Sequence, residues 1–317
     1  VINEQFQWIY GDGHLMYLGD MFDRGSSVIE CLWLIYKLEA EAEQAGGKVH
    51  FILGNHDIMN LLDDLRYVSQ KYFESAKLMG ENISKIHDET SELGRWLRSK
   101  NIIEKVGPYV FVHAGVSLAV ANLGLSFQQM NDYGRQAIAG TCTSANCKTV
   151  TGGSDVGLYW YRGIAKKLVL QPEVDEILSK IGASKMFFGH TILEDNISAL
   201  FNNKVYDVDI HHSETFPNNE TMKALLYENC GLYQLTTSST GNDKLLLEDV
   251  GNDVYLPTEN MTGVANISTT GSFSSSFCQS PLKLQRTGAA SDVSGTVNIK
   301  MWMENTRSPR AIHLPEQ

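Results

Sequence analysis

The chain has 317 residues, enough for one large domain and a smaller unit. Hydrophobic residues make up 43% and charged residues 20%, the balance of an ordinary globular protein. With 26 Lys and Arg against 37 Asp and Glu the net charge is −11, which repels nucleic-acid backbones and excludes a broad DNA- or RNA-binding role. No apolar run reaches the ~18 residues that a membrane-spanning helix needs. No signal peptide is visible at the start, although the N-terminus reads as cut.

In chain order, Leu15–Leu18 is a short apolar run that ends at Gly19-Asp20. Val28, Leu32, Ile35 and Leu38 recur at helical spacing, so 28–44 is predicted as a helix stopped by Gly46-Gly47. Val49–Leu53 is a buried-strand candidate ending at Gly54-Asn55, and a charge-rich helical stretch covers 58–100. Tyr109–Val112 is a strand that ends at His113-Ala114-Gly115. Pro172–Ile181 is a helix with Pro in its first turn and Gly182 after its end. Lys185–Phe188 is a strand that ends at Gly189-His190. Val205–Val208, Ala224–Tyr227 and Leu232–Leu235 are further strands. These elements define residues 1–235 as an α/β domain. From 236 to 317 Ser, Thr, Gly and Asn take over, as in a small β-rich appendage or a disordered tail. Within it Val297, Ile299, Met301 and Met303 alternate as in one strand.

The chain has five cysteines. Cys142 and Cys147 share a polar loop and read either as a local disulfide of a periplasmic or secreted protein or as two loop thiols of a cytoplasmic one. Cys31 lies on an apolar helix face and reads as core. Asn-x-Ser/Thr triplets such as Asn82-Ile83-Ser84 say little without a compartment.

In each early unit an apolar strand ends, and Gly with a polar or ionisable residue follows. In α/β proteins the loops after strand C-termini carry binding groups. The segments are Gly19-Asp20-Met21-Phe22-Asp23-Arg24-Gly25, Gly54-Asn55-His56-Asp57, Val112-His113-Ala114-Gly115 and Phe188-Gly189-His190-Thr191. In this order they resemble the calcineurin-like metallophosphoesterase superfamily. Ile192 stands where many members have the last His of a GHxH motif, as in the phosphoprotein phosphatase branch. Trp160-Tyr161-Arg162-Gly163 resembles a segment of its Shewanella-like members.

The resemblance implies an α/β/β/α sandwich of two mixed sheets flanked by helices. It implies two divalent ions, manganese first and iron or zinc as options, held ~3.5–4 Å apart. Asp20 would bridge them, and Asn55, His113 and His190 would complete one site. His56 would protonate the leaving oxygen, since a histidine titrates near ~6.5, with Asp23 orienting it and Asp57 in support. Arg24 and Arg162 would hold phosphate oxygens. A metal-bridging hydroxide would attack phosphorus directly, releasing phosphate from phospho-Ser, phospho-Thr or phospho-Tyr in a protein, or from a small monoester. The alternatives are a truncated, non-catalytic binder of metal or phosphate and a phosphodiesterase or nucleotide pyrophosphatase.

One motif of the family is missing. Asp12-Gly13-His14 has the right letters but sits eight residues before Asp20, without room for a helix between. It reads as a hairpin turn, so the first strand and its Asp-x-His motif are expected to be lacking. His14, His50, His87 and His313 read as structural or surface residues, and so does the pair His211-His212. Trp33, Trp96 and Trp302 read as packing residues.

Overall fold

The structure, a computed structural model, describes residues 1–23, 25–153, 156–210, 222–238 and 241–251, and the backbone of 283–284, 293–294 and 299–302. The strands are β1 (His14–Tyr17), β2 (Lys48–Phe51), β3 (Ile103–Val106), β4 (Tyr109–Val112), β5 (Lys185–Phe188), β6 (Ser198–Leu200), β7 (Val205–Asp207), β8 (Met222–Glu228), β9 (Gly231–Ser238), β10 (Gly241–Asp249), β11 (Lys283–Leu284), β12 (Val293–Ser294) and β13 (Ile299–Trp302). The helices are α1 (Val28–Gln44), α2 (Asn55–Leu61), α3 (Gln70–Leu78), α4 (Glu92–Arg98), α5 (Leu118–Ala121), α6 (Phe127–Ile138), α7 (Ala145–Thr151) and α8 (Gln171–Lys180).

Two mixed sheets carry the fold. One has the order β10-β9-β8-β13-β1-β2 and the other β3-β4-β5-β7-β6. In the first, β1 runs parallel to both β2 and β13. In the second, β4, β5 and β7 run parallel. Strand alternation then decides which side each residue buries. Met16 of β1 and Leu18 just after it share one buried cluster with Tyr109, Phe111, Phe187 and Tyr206 of the second sheet. Leu15 and Tyr17 join another with Leu32 and Ile35 of α1, and Val110, Val112 and Phe188 share it with Val174 and Ile177 of α8. Phe111 stacks on Phe187 at 5.1 Å, and Phe187 on Tyr206 at 5.4 Å, an aromatic ladder across three strands. Each such ring, fully buried, contributes about 1.5–3 kcal/mol.

The structure agrees with the sequence reading in some places and departs from it in others. The stretch 58–100 is not one helix. Asp63 and Gly80 take positive φ, and Ser91 caps a new start by accepting from Gly94 N. β13, from the C-terminal segment, lies between β1 and β8, and it carries no Asp-x-His motif in place of the one expected to be lacking. The compositional change at 235 falls within β9, and β10 continues the sheet to Asp249. Cys142 and Cys147 form a disulfide, Cys230 is also disulfide-bonded, and Cys31 is buried in the core, as its helix face suggested. Trp96 packs in the core, whereas Trp33 is 44% exposed. Arg24, His211, His212, His313 and most of 236–317 lie outside the described residues, as do the side chains of β13, Trp302 among them.

Candidate metal centre

The site lies where the loops after β1, β2, β4 and β5 meet. Gly19 has φ +94°, and a Cβ there would lie 2.4 Å from Gly54 N. Only glycine lets these two backbones touch. Asp57, at the third position of α2, ties the two loops together. One of its carboxylate oxygens accepts from Gly54 N at 2.7 Å and Asp20 N at 2.9 Å. The other accepts from Met21 N at 3.0 Å and Phe22 N at 3.2 Å. Burial, then the charge of Asp20, pushes the Asp57 carboxyl up to about 7. Asp20, Asp23 and His190 sit at φ 58°, 72° and 70°. Such a conformation costs about 1–3 kcal/mol per non-glycine residue, and it clusters where function demands it.

One ligand atom from each of Asp20, His113 and His190 lies within 4.8 Å of the others. His113 Nδ1 donates to Leu18 O at 2.6 Å, which turns Nε2 and its lone pair inward. That Nε2 lies 3.0 Å from Asn55 Oδ1, 3.1 Å from His190 Nδ1 and 3.3 Å from Asp20 Oδ1. Burial opposes charge on Asp20, but His113 and His56 outweigh it and hold its carboxyl below the usual range. Burial drives His190 far down, so it is a neutral imidazole, and its Nε2 is buried without a hydrogen-bond partner. One carboxylate, two imidazoles and an amide oxygen suit a divalent transition metal. The residues present fit one such ion.

Beside this cluster stands a second group. His56 Nδ1 lies 2.5 Å from Asp23 Oδ2, and His56 N donates to Asp20 Oδ1 at 2.9 Å. Asn60 Nδ2 donates to Asp23 Oδ1 and to His56 O, both at 3.0 Å. Arg162 donates through one guanidinium nitrogen to His190 O at 2.9 Å and Thr191 Oγ1 at 2.8 Å. Trp160 meets the His190 ring edge-on at 5.9 Å. Thus Asp20, Asp23, Asn55, His56, His113, Arg162 and His190 are brought together. Asn60 and Tyr67, whose ring lies 5.4 Å from that of His56, escaped the sequence reading, and Thr191 was read only as part of its motif, without a role. The only signal for Asn60 and Tyr67 was a place downstream of the Gly54-Asn55-His56-Asp57 motif. The reading also passed over Asp207, whose carboxyl, at the end of β7, is raised to about 9 by burial, against the lowering effect of the hydrogen bond it accepts from Asp209 N.

His14 does not join the site. Its Nδ1 lies 2.9 Å from His50 Nε2, and His50 Nδ1 lies 2.5 Å from Glu104 Oε2, a chain that crosses from one sheet to the other. Burial, then His50, pushes His14 down to about 4. Among the described residues no second cluster of three His, Cys, Asp or Glu side chains converges as the first does.

Residues 2–193 match the Calcineurin-like phosphoesterase family, Metallophos, and the chain belongs to it. Within that family it is distantly homologous to Shewanella-like protein phosphatases. It is 25% identical to Shewanella-like protein phosphatase 2 of Arabidopsis thaliana over 68% of this chain and 66% of that one. It is also 25% identical to Shewanella-like protein phosphatase 1 of Plasmodium berghei, covering 69% and 64%. The chain thus spans about two thirds of the length of these relatives. Among solved structures, a cold-active protein tyrosine phosphatase superposes with TM-score 0.68 at 31% identity, covering 80% of this chain and 73% of its own.

Proposed function

We propose that the chain hydrolyses phosphate monoesters, with phosphorylated Ser, Thr or Tyr side chains of proteins as the substrate class. The observation that carries this reading is the convergence of Asp20, Asn55, His113 and His190 directly beside the His56–Asp23 pair. A divalent ion held by the first four, with manganese as our first choice, would polarise a phosphoryl oxygen and acidify water.

The remaining work falls to the chain's own groups. Asp23 accepts from His56 Nδ1 and fixes the ring, so that Nε2 faces the leaving oxygen and delivers its proton. Asn60 holds Asp23 in turn. Arg162, anchored on the loop of His190, brings a cation to the phosphate oxygens. Asp57 keeps the loops of Asp20 and Asn55 in register. The two buried clusters on opposite sheet faces support the four-layer arrangement expected from the sequence. The disulfides support maturation in an oxidising compartment.

A second reading, a non-catalytic metal or phosphate binder, draws on the single convergent cluster among the described residues. Hydrolysis of p-nitrophenyl phosphate and of bis(p-nitrophenyl) phosphate by the manganese-loaded chain separates the readings. The monoesterase is expected to cleave the first at least a hundredfold faster, a difference of about 2.7 kcal/mol in activation free energy. Faster cleavage of the diester would establish a phosphodiesterase, and no cleavage of either by a folded, metal-loaded chain would establish the binder.

A further inference from the structure

The segment that leaves α2 is Leu62-Asp63-Asp64-Leu65-Arg66-Tyr67-Val68-Ser69. Asp63, at φ 68°, turns the chain back. Leu65 and Val68 then pack against the core, while Arg66 and Tyr67 point outward. Two anchored residues around an outward pair make a fixed loop. Tyr67 remains 43% exposed. Its ring meets that of His56 at 5.4 Å and 63°. Arg66 Cζ lies 5.6 Å over the same Tyr67 ring. The Arg66 guanidinium is itself fixed by two bonds to Asp64, Nε to Oδ1 at 2.7 Å and Nη2 to Oδ2 at 2.8 Å.

We propose that this loop is an aryl-binding subsite, in which Tyr67 selects aromatic phosphate esters over alkyl ones. The inference rests on the phosphatase reading for the role of His56 and on the loop geometry for the rest. His56 protonates the leaving oxygen, so the group attached to that oxygen lies against whatever flanks the imidazole. The flank is the Tyr67 ring. An aryl ester carries its ring directly on the leaving oxygen, within the ~4.5–7 Å at which aromatic pairs attract. A serine ester carries a single methylene there and presents no face to the tyrosine. The Arg66–Asp64 pair limits the motion of Tyr67 and leaves the wall without net charge, which suits an apolar ring. Aromatic pairing of this kind is worth about three- to tenfold in affinity.

The test compares phenylphosphonate with ethylphosphonate on the manganese-loaded chain, by calorimetry, in wild type, Tyr67→Ala and Tyr67→Phe. It runs beside kcat/KM for two peptides that differ only in phospho-Tyr or phospho-Ser. We expect wild type to hold phenylphosphonate about three- to tenfold tighter. That ratio collapses towards one in Tyr67→Ala and survives in Tyr67→Phe, and the ratio of kcat/KM follows it. A wild-type ratio of one, an unchanged ratio in Tyr67→Ala, or failure to bind either phosphonate overturns the proposal. An intact phosphonate ratio without turnover of either peptide would uphold the subsite and refute the phosphatase.

Discussion

Replacing Gly54 by alanine isolates the close contact on which the metal centre depends. Gly54 has φ −95° and ψ 179°, a conformation open to any residue, so the substitution brings no backbone strain. What it brings is a methyl group 2.4 Å from Asp20 Oδ1, 2.6 Å from Asp20 N and 2.7 Å from His113 Cε1. Non-bonded carbon contacts are comfortable at about 3.5–4.0 Å, so something must move by about 1 Å. Asp20 N cannot retreat freely, because Asp57 holds it together with Met21, Phe22 and Gly54. His113 is tied to Leu18 O. Overpacking of this kind costs about 1–3 kcal/mol, and we expect about 2 kcal/mol for Gly54→Ala. Because two ligands are displaced together, manganese affinity should fall at least about tenfold, the range seen when ligand supports are lost. Urea unfolding in chelator reads the first quantity and calorimetric manganese titration the second. Gly153→Ala, where a Cβ meets nothing within 4 Å, is the control and should change stability by less than about 0.5 kcal/mol. If Gly54→Ala matches that control in both measurements, the proposed rigidity of the two loops is refuted.

His56→Asn should leave manganese binding within about twofold of wild type. It should lower kcat for an alkyl phosphate by about a hundredfold or more, and for p-nitrophenyl phosphate much less, because a good leaving group needs little proton donation. Equal losses on both esters would remove His56 from the acid role. Asp207 gives a pH signature. Its carboxyl keeps its proton in the folded chain up to about 9 and releases it near ~3.9 when unfolded. Across that window the unfolded chain binds fewer protons, so this group's contribution is fully present below ~3.9 and is lost as pH rises through about 9. Asp207→Asn should therefore flatten the fall in Tm between pH 5 and pH 9, and an unchanged slope would contradict the assignment.

Much of the frame was legible because local signals agreed with the fold. The apolar spacing of Val28, Leu32, Ile35 and Leu38 gave α1 its observed limits, and β4 and β5 also fall where the apolar runs placed them. The strand ends bearing Asp20, Asn55, His113 and His190 were visible as Gly-polar punctuation. Separation in sequence hid the rest. The four backbone bonds of Asp57 exist only once Gly19 and Gly54 touch and Asp20 adopts a positive φ. Tyr67 reaches His56 because Leu65 and Val68 turn the other way, a pattern too short for periodicity to reveal. The 58–100 stretch kept helical composition throughout, and its breaks depend on single residues such as Asp63 and Gly80. Asp12-Gly13-His14 has the letters of a ligand motif, but its spacing from Asp20 argued for a structural His14, and its partner is indeed His50, on the neighbouring strand β2.

The central claim is that the cluster of Asp20, Asn55, His113 and His190 holds a divalent ion on which phosphate release depends. The most direct test measures manganese binding and p-nitrophenyl phosphate turnover together, in wild type and in His113→Ala, with circular dichroism to confirm that both are folded. The account predicts manganese binding and turnover in wild type, loss of turnover on chelation, and loss of both in His113→Ala. Full turnover in His113→Ala, or turnover in wild type that survives chelation, would contradict it.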